Sequence, residues 1–349
     1  MSSTTTGLSS SLKLLLLTPL LLLLLTLLFL WGAVPIDPET VLSVLTGGGG
    51  EPERTILLAF RLPRGITATL AGAALGVSGL LMQTFFRNPL AGPGVLGVTS
   101  GAGLAVALGV LSGAAGFAAG AEGTLLTGLA SSAAAIVGST AVLLLILLVH
   151  RLVSSAATLL VLGVLFGYAT SSLVTVLMAA SSAESLQRYV RWSYGSFDVA
   201  LGPITLALAI ALLLALVLLL VLAPSIDVML LGSRYALSSG VRISRLQPMM
   251  LLISGILTGL VTALCGPISF IGVAVPHLTR LYLGTSVHRV VVPGTIIIGA
   301  ILALGADIIS HAPLVPGVLP INAVTALIGV PVIIAVLLRP YGRRREVEL

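Results

Sequence analysis

Charge is what this sequence has least of. Only 8% of its 349 residues are Asp, Glu, Lys or Arg, while 57% are hydrophobic; an ordinary soluble domain carries about 25% charged residues. A water-soluble fold of this length could not cover its surface with so few charges, so lipid must be the solvent for most of the chain. The sequence has one cysteine, Cys265, which excludes an internal disulfide and a cysteine metal cluster. It has one lysine, Lys13, set in Ser11-Leu12-Lys13-Leu14 with no glycine beside it. A nucleotide-binding loop needs G-x-x-x-x-G-K-[ST], because its lysine must reach the β- and γ-phosphates. Neither H-E-x-x-H nor a paired-Asp arrangement occurs. No catalytic residue and no metal ligand is therefore assigned, and a lone His277 beside Arg280 reads as structural rather than as a haem ligand.

Long apolar runs are what the sequence has in excess. A span needs roughly 20 predominantly apolar residues, and such runs lie near 12–33, 63–86, 94–118, 124–149, 155–179, 201–223, 247–264, 290–309 and 321–338. A shorter piece, 268–283, is opened by Gly266-Pro267 and interrupted by Pro276, and it reads as a short or broken span. The expected fold is an all-α integral membrane protein of about ten transmembrane helices, one transmembrane domain over 1–349. The first run, Leu12 to Trp31, exceeds the roughly 7–15-residue apolar core of a signal peptide, so a retained helix is expected. The 39 glycines suit helices that approach closely in lipid, as in Ala71-Gly72-Ala73-Ala74-Leu75-Gly76 and Gly101-Ala102-Gly103. Gly47 to Gly50 is the exception and reads as a loop.

Alternating these spans from a cytoplasmic N-terminus puts Lys13, Arg87, Arg151, Arg234, Arg242, Arg245, Arg280, Arg289, Arg339, Arg343, Arg344 and Arg345 inside. Arg54, Arg61, Arg64, Arg188 and Arg191 fall outside, a split of 12 to 5. The positive-inside rule favours that orientation, with both termini cytoplasmic. The net charge of +6 then reflects topology and not nucleic-acid binding. All 11 acidic residues fall in expected loops or at span ends, Asp307 deepest. Ion-coupled carriers place carboxylates inside the membrane, so an ion-coupled secondary transporter is the weaker alternative. Uphill transport would draw its energy from a separate nucleotide-hydrolysing partner.

Several loops carry a family signature. Arg61-Leu62-Pro63-Arg64 is followed by Ser78-Gly79-Leu80-Leu81-Met82-Gln83 and Arg87-Asn88-Pro89-Leu90-Ala91-Gly92-Pro93-Gly94. Farther on stand Leu231-Gly232-Ser233-Arg234-Tyr235-Ala236-Leu237-Ser238-Ser239-Gly240, Gly266-Pro267-Ile268-Ser269-Phe270-Ile271-Gly272, Val275-Pro276-His277 and Val324-Thr325-Ala326-Leu327-Ile328-Gly329-Val330-Pro331. In order and spacing the chain resembles the FecCD permease family, the type II ABC importers for iron–siderophores, haem and vitamin B12. The resemblance runs from about the second span to the C-terminus. It implies a homodimer of ten-helix subunits in the bacterial inner membrane. Two ATP-binding subunits on the cytoplasmic side would use ATP and Mg, a substrate-binding protein would deliver cargo outside, and this chain would bind no cofactor.

The resemblance also assigns roles. Arg61 and Arg64, at the outer mouth, match arginines that pair with acidic residues of the binding protein; His311 stands where the family has a further arginine. The segment of about 224–246 resembles the coupling helices that fit the ATPase, with Leu231, Gly232, Ser233, Arg234, Ala236, Ser239 and Gly240 as the coupling residues. Ser225-Ile226-Asp227 is suited to cap a first short helix, and Gly240 to end a second in a left-handed conformation. Gly266, Pro267, Ser269 and Pro276 mark a broken helix, expected near the translocation path or gate. Glu184 to Asp198, rich in Tyr, Trp and Arg, reads as an amphipathic helix at the outer interface.

Overall fold

The computed structural model describes residues 10–32, 34–113, 117, 123–153, 155–312 and 317–338. Arg339, Arg343, Arg344, Arg345, Glu122, Glu346 and Glu348, which entered the charge census, lie outside them. Among the described residues the regular structure is helical. In chain order the helices are α1 (Ser10–Leu30), α2 (Pro38–Leu45), α3 (Glu51–Arg54), α4 (Leu62–Phe86), α5 (Val98–Leu111), α6 (Gly123–Leu152), α7 (Ala156–Ala179), α8 (Ala183–Ser193), α9 (Pro203–Leu230), α10 (Ser233–Ser238), α11 (Ile243–Cys265), α12 (Ile271–Leu283), α13 (His288–Ser310) and α14 (Ile321–Leu337). The ten apolar stretches anticipated from hydropathy correspond to α1, α4, α5, α6, α7, α9, α11, α12, α13 and α14. By length and composition seven helices can each cross a membrane, and α5 and α14 are shorter apolar helices.

Helix α4 is the centre of the bundle. It packs on α13, α11 and α12, and then on α9. Small residues permit this: a Cβ on Gly72 would lie 2.2 Å from the Gly299 carbonyl of α13, and one on Gly79 would lie 1.6 Å from the Gly272 carbonyl of α12. Backbones meet directly where side chains would hold them apart. Gly101 of α5 and Gly138 of α6 repeat the device. Helix α9 is different. Leu206, Leu213, Leu214, Val217 and Val221 stand exposed along it, as a lipid-facing surface requires.

Three expectations change. The third span starts at Val98, not 94, because Pro93–Leu96 forms a 3₁₀ turn closed by Gly97 at φ +76°. No separate helix begins at Ser225: α9 runs through Pro224 to Leu230, and the Asp227 carboxylate accepts the backbone N–H of His288 (3.0 Å) instead of capping its own chain. Pro276 does not interrupt α12, which is continuous from Ile271 to Leu283. Proline frees the carbonyl four residues earlier, here Gly272, and that oxygen lies against the bare Cα of Gly79, a Cα–H···O contact in place of the lost N–H. The break falls at 266–270, where Gly266 (φ +72°) and Phe270 (φ +66°) are left-handed.

Candidate functional site

The chain ends of the bundle carry two different kinds of chemistry. At one end the start of α4, the loop before α9 and the end of α13 converge. Arg64 Nε lies 3.0 Å from Asp307 Oδ2 and Arg64 Nη1 lies 3.6 Å from Asp198 Oδ1. His311 Nε2 lies 3.0 Å from Asp198 Oδ2, and its Nδ1 lies 3.4 Å from Asp307 Oδ1. Asp307 is buried and Asp198 is 45% exposed, so Asp198 is the outward face of a four-residue charge cluster. Burial alone would lower the His311 pKa, but its bonds to Asp198 and Asp307 outweigh that and raise it to about 9. Burial would raise that of Asp198, yet its bond to His311 and the His311 and Arg64 charges hold the carboxyl below its ordinary value.

Arg61 is near this cluster but serves another purpose. It ends a seven-residue π-helical stretch, Thr55–Arg61, that runs into α4. Its guanidinium donates to the backbone carbonyls of Phe29 and Val34. Those are orphan acceptors at and beyond the end of α1, so Arg61 closes that helix end. The structure thus brings Arg64 and His311 together, and places Arg61 apart from them, only 4% exposed.

The opposite end is where α9 passes into α11. Helix α10 is a short exposed helix between left-handed Gly232 (φ +116°) and Gly240 (φ +80°). Ala236 is fully buried against the bundle, while Leu231, Tyr235 and Leu237 are more than half exposed and Arg234 and Ser239 are exposed beside them. Behind this knob, His288 Nδ1 bonds Asp227 Oδ1 at 2.6 Å and His288 Nε2 lies 3.1 Å from Thr84 Oγ1. The loop after α4 closes here too, with Arg87 left-handed at φ +48°. His277 donates Nε2–H to the Pro89 carbonyl at 2.7 Å, which is the structural role expected of it.

Beside the loop that carries Asp198, the broken segment 266–270 is tied to α14 by one side chain. Asn322 of α14 donates Nδ2–H to the Pro267 carbonyl (2.7 Å) and the Ser193 carbonyl (3.1 Å), and its Oδ1 accepts the Ser269 N–H (2.9 Å). Non-helical backbone withdrawn from water must be satisfied by protein, and Asn322 satisfies the Pro267 carbonyl and the Ser269 N–H. Sequence reasoning missed this residue. The only available signal was an amide at the head of an apolar run, after Leu319-Pro320. It also missed the exposed face of α7: Tyr168 is 71% exposed, with Ser171, Ser172 and Thr175 exposed beside it. Spacings of three, four and seven residues put those groups on one helical stripe, where the Ser172 and Thr175 hydroxyls donate back to the Tyr168 and Ser171 carbonyls and the Tyr168 ring stands free of the bundle. The spacing was in the sequence.

A bundle of long apolar helices with an exposed knob at one end and a charge cluster at the other defines an integral membrane protein. Comparison with known proteins gives the class its family. The FecCD transport family matches residues 20–339, and the chain belongs to it. It is 35% identical over 284 residues to the vitamin B12 import system permease protein BtuC of Klebsiella pneumoniae, covering 81% of this chain and 82% of that one. To the hemin transport system permease protein HmuU of Yersinia pestis it is 33% identical over 294 residues, covering 83% and 85%. A metal-chelate type ABC transporter in an inward-facing conformation superposes with a TM-score of 0.80 at 27% identity, over 93% of this chain and 98% of the other. The chain is therefore a permease of the ABC importer class. PsaBC from Streptococcus pneumoniae shares the fold at 12% identity, with a TM-score of 0.52 over 87% of this chain and 98% of that one.

Proposed function

We propose that two copies of this chain form the pore of an importer for a metal chelate of the cobalamin, haem or ferric-siderophore kind, driven by two separate ATP-binding subunits. The observation that carries this reading is α10. A rigid knob, seated by Ala236 and topped by Leu231, Tyr235 and Leu237, presents apolar area outside any span, where a protein partner and not lipid would cover it. ATP and Mg would be used by that partner, since this sequence has no P-loop lysine. The α7 stripe of Tyr168, Ser171, Ser172 and Thr175 would face its counterpart across a water-filled path. Gly266, Pro267, Ser269 and Pro276 would lie along that path or its gate. The Arg64 end would face outward in the inner membrane, with both termini cytoplasmic, as the charge census favours.

Docking of a substrate-binding protein at the Arg64 end is the second part of the proposal. Arg64 and His311 are already paired, so an incoming carboxylate would have to take the place of Asp198, the one exposed partner. Asp198→Ala should then tighten the binding protein, whereas unchanged affinity would remove Arg64 and His311 from the docking surface. Arg61, buried and tying down the end of α1, would support the docking face from behind through its charge near Arg64, and Arg61→Glu should abolish binding-protein-dependent uptake. Reconstitution with the ATPase and binding protein in liposomes tests the whole reading. Uptake of cobalamin, haemin or a ferric siderophore should require ATP. Uptake supported by an ion gradient alone would overturn it in favour of a secondary carrier.

A further inference from the structure

At the α10 end, a cavity of about 690 Å³ opens between the last turn of α6 and the first turns of α11. Arg151 and His150 come from α6; Ser244, Arg245, Pro248 and Leu252 come from α11; and no acidic side chain lines it. Arg151 and Arg245 are exposed, and their guanidinium groups make no ion pair or hydrogen bond among the described residues. The His150 ring is set in place by an edge-to-face contact with buried Phe85, centroids 5.8 Å apart. Like charges gathered at one opening without a counter-charge repel each other unless an anion joins them.

What lies alongside identifies the anion. Leu148 and Leu144 stand one and two turns in from Arg151 on α6, and Ile256 follows Leu252 on α11; all four are exposed. Successive turns stack side chains on one face, so an apolar ladder descends from the basic opening toward the middle of the bundle. A soluble phosphate would use the head of this arrangement and leave the ladder bare. We propose that this cavity binds the phosphate of an anionic phospholipid, its acyl chains lying along Leu144, Leu148, Leu252 and Ile256. Basic pockets between helices at the membrane surface suit such headgroups, and the volume is within the range of ligand sites. Helix α11 follows α10 after only four residues, Ser239 to Arg242, so an occupied site would anchor the base of the exposed knob.

Native mass spectrometry of the full-length chain, released from detergent with phosphatidylglycerol, phosphatidylcholine or glycerol phosphate added, tests this. Phosphatidylglycerol should survive activation that strips phosphatidylcholine, and the Arg151→Gln/Arg245→Gln variant should retain it about tenfold less, each arginine adding to the attraction. Both arginines are exposed, so the variant should melt with the wild type in lipid-free detergent. Equal loss of both lipids from the wild type would overturn the proposal without recourse to a variant. Retention of phosphatidylglycerol by a folded double variant would overturn it, as would glycerol phosphate binding as firmly as the lipid, which would make the site one for a soluble anion.

Discussion

His311 keeps its proton because two carboxylates face it, Asp198 at 3.0 Å and Asp307 at 3.4 Å. Its pKa is raised from 6.5 to about 9, so the stabilisation is fully present below about pH 6.5 and is lost as pH rises through 9. The melting temperature of the purified chain should fall across that interval, and the curve of His311→Gln should be flat there. A wild-type curve without slope would show that the cluster does not hold the end of α13. Asn322 acts by geometry in place of charge. Asn322→Ala would strip the Pro267 and Ser193 carbonyls and the Ser269 N–H of their partner, at about 1–3 kcal/mol for each group left unsatisfied. Amide exchange at 266–270 should speed up well before global unfolding. At this scale the sequence was least legible. Arg64 and His311 were identifiable as special residues, and Asp307 stands one helical turn before His311, but Asp307 is 243 positions from Arg64 and Asp198 is 113 from His311, and no local pattern announces those two pairs.

At the scale of elements, α4 shows how much depends on a missing side chain. Gly79→Val would drive a branched side chain into the Gly272 carbonyl of α12, whose free position for a Cβ is only 1.6 Å from that oxygen. The helices would have to part, costing about 1–3 kcal/mol or more, and both yield and melting temperature should drop. Gly94→Ala, with nothing within 4 Å of its Cβ, should leave both unchanged and serves as the control. The apolar runs revealed the long helices because lipid demands length and hydrophobicity along one continuous segment. In the eighth segment the opening at Gly266-Pro267 is where the break falls, but the second interruption expected at Pro276 is absent. Proline costs a helix one hydrogen bond and crowds the carbonyl four residues earlier, and here the contact of that carbonyl with the Cα of Gly79 offsets part of the loss. The first coupling helix expected at Ser225 failed for a related reason: the capping side chain, Asp227, was already committed to His288.

The whole molecule presents surfaces that differ in what they can face. Leu213 on α9 and Ser171 on α7 are both exposed, yet one is suited to lipid and the other to water. Cys265 is buried, so the native thiol should be silent. In membranes, Ser171→Cys should react with a water-soluble maleimide while Leu213→Cys should not. Equal protection of both would place the α7 stripe in a dry interface and remove it from the path. The sequence by itself determined that this chain lives in lipid, where its long apolar helices fall, that it carries no P-loop lysine motif, and which family it resembles, because hydropathy and motif order are properties of contiguous residues. Only the tertiary structure decided which charges are paired, that Asn322 ties the broken segment 266–270, and that Arg151 and Arg245 share one opening. Those depend on distances between segments far apart in the chain, which packing alone sets.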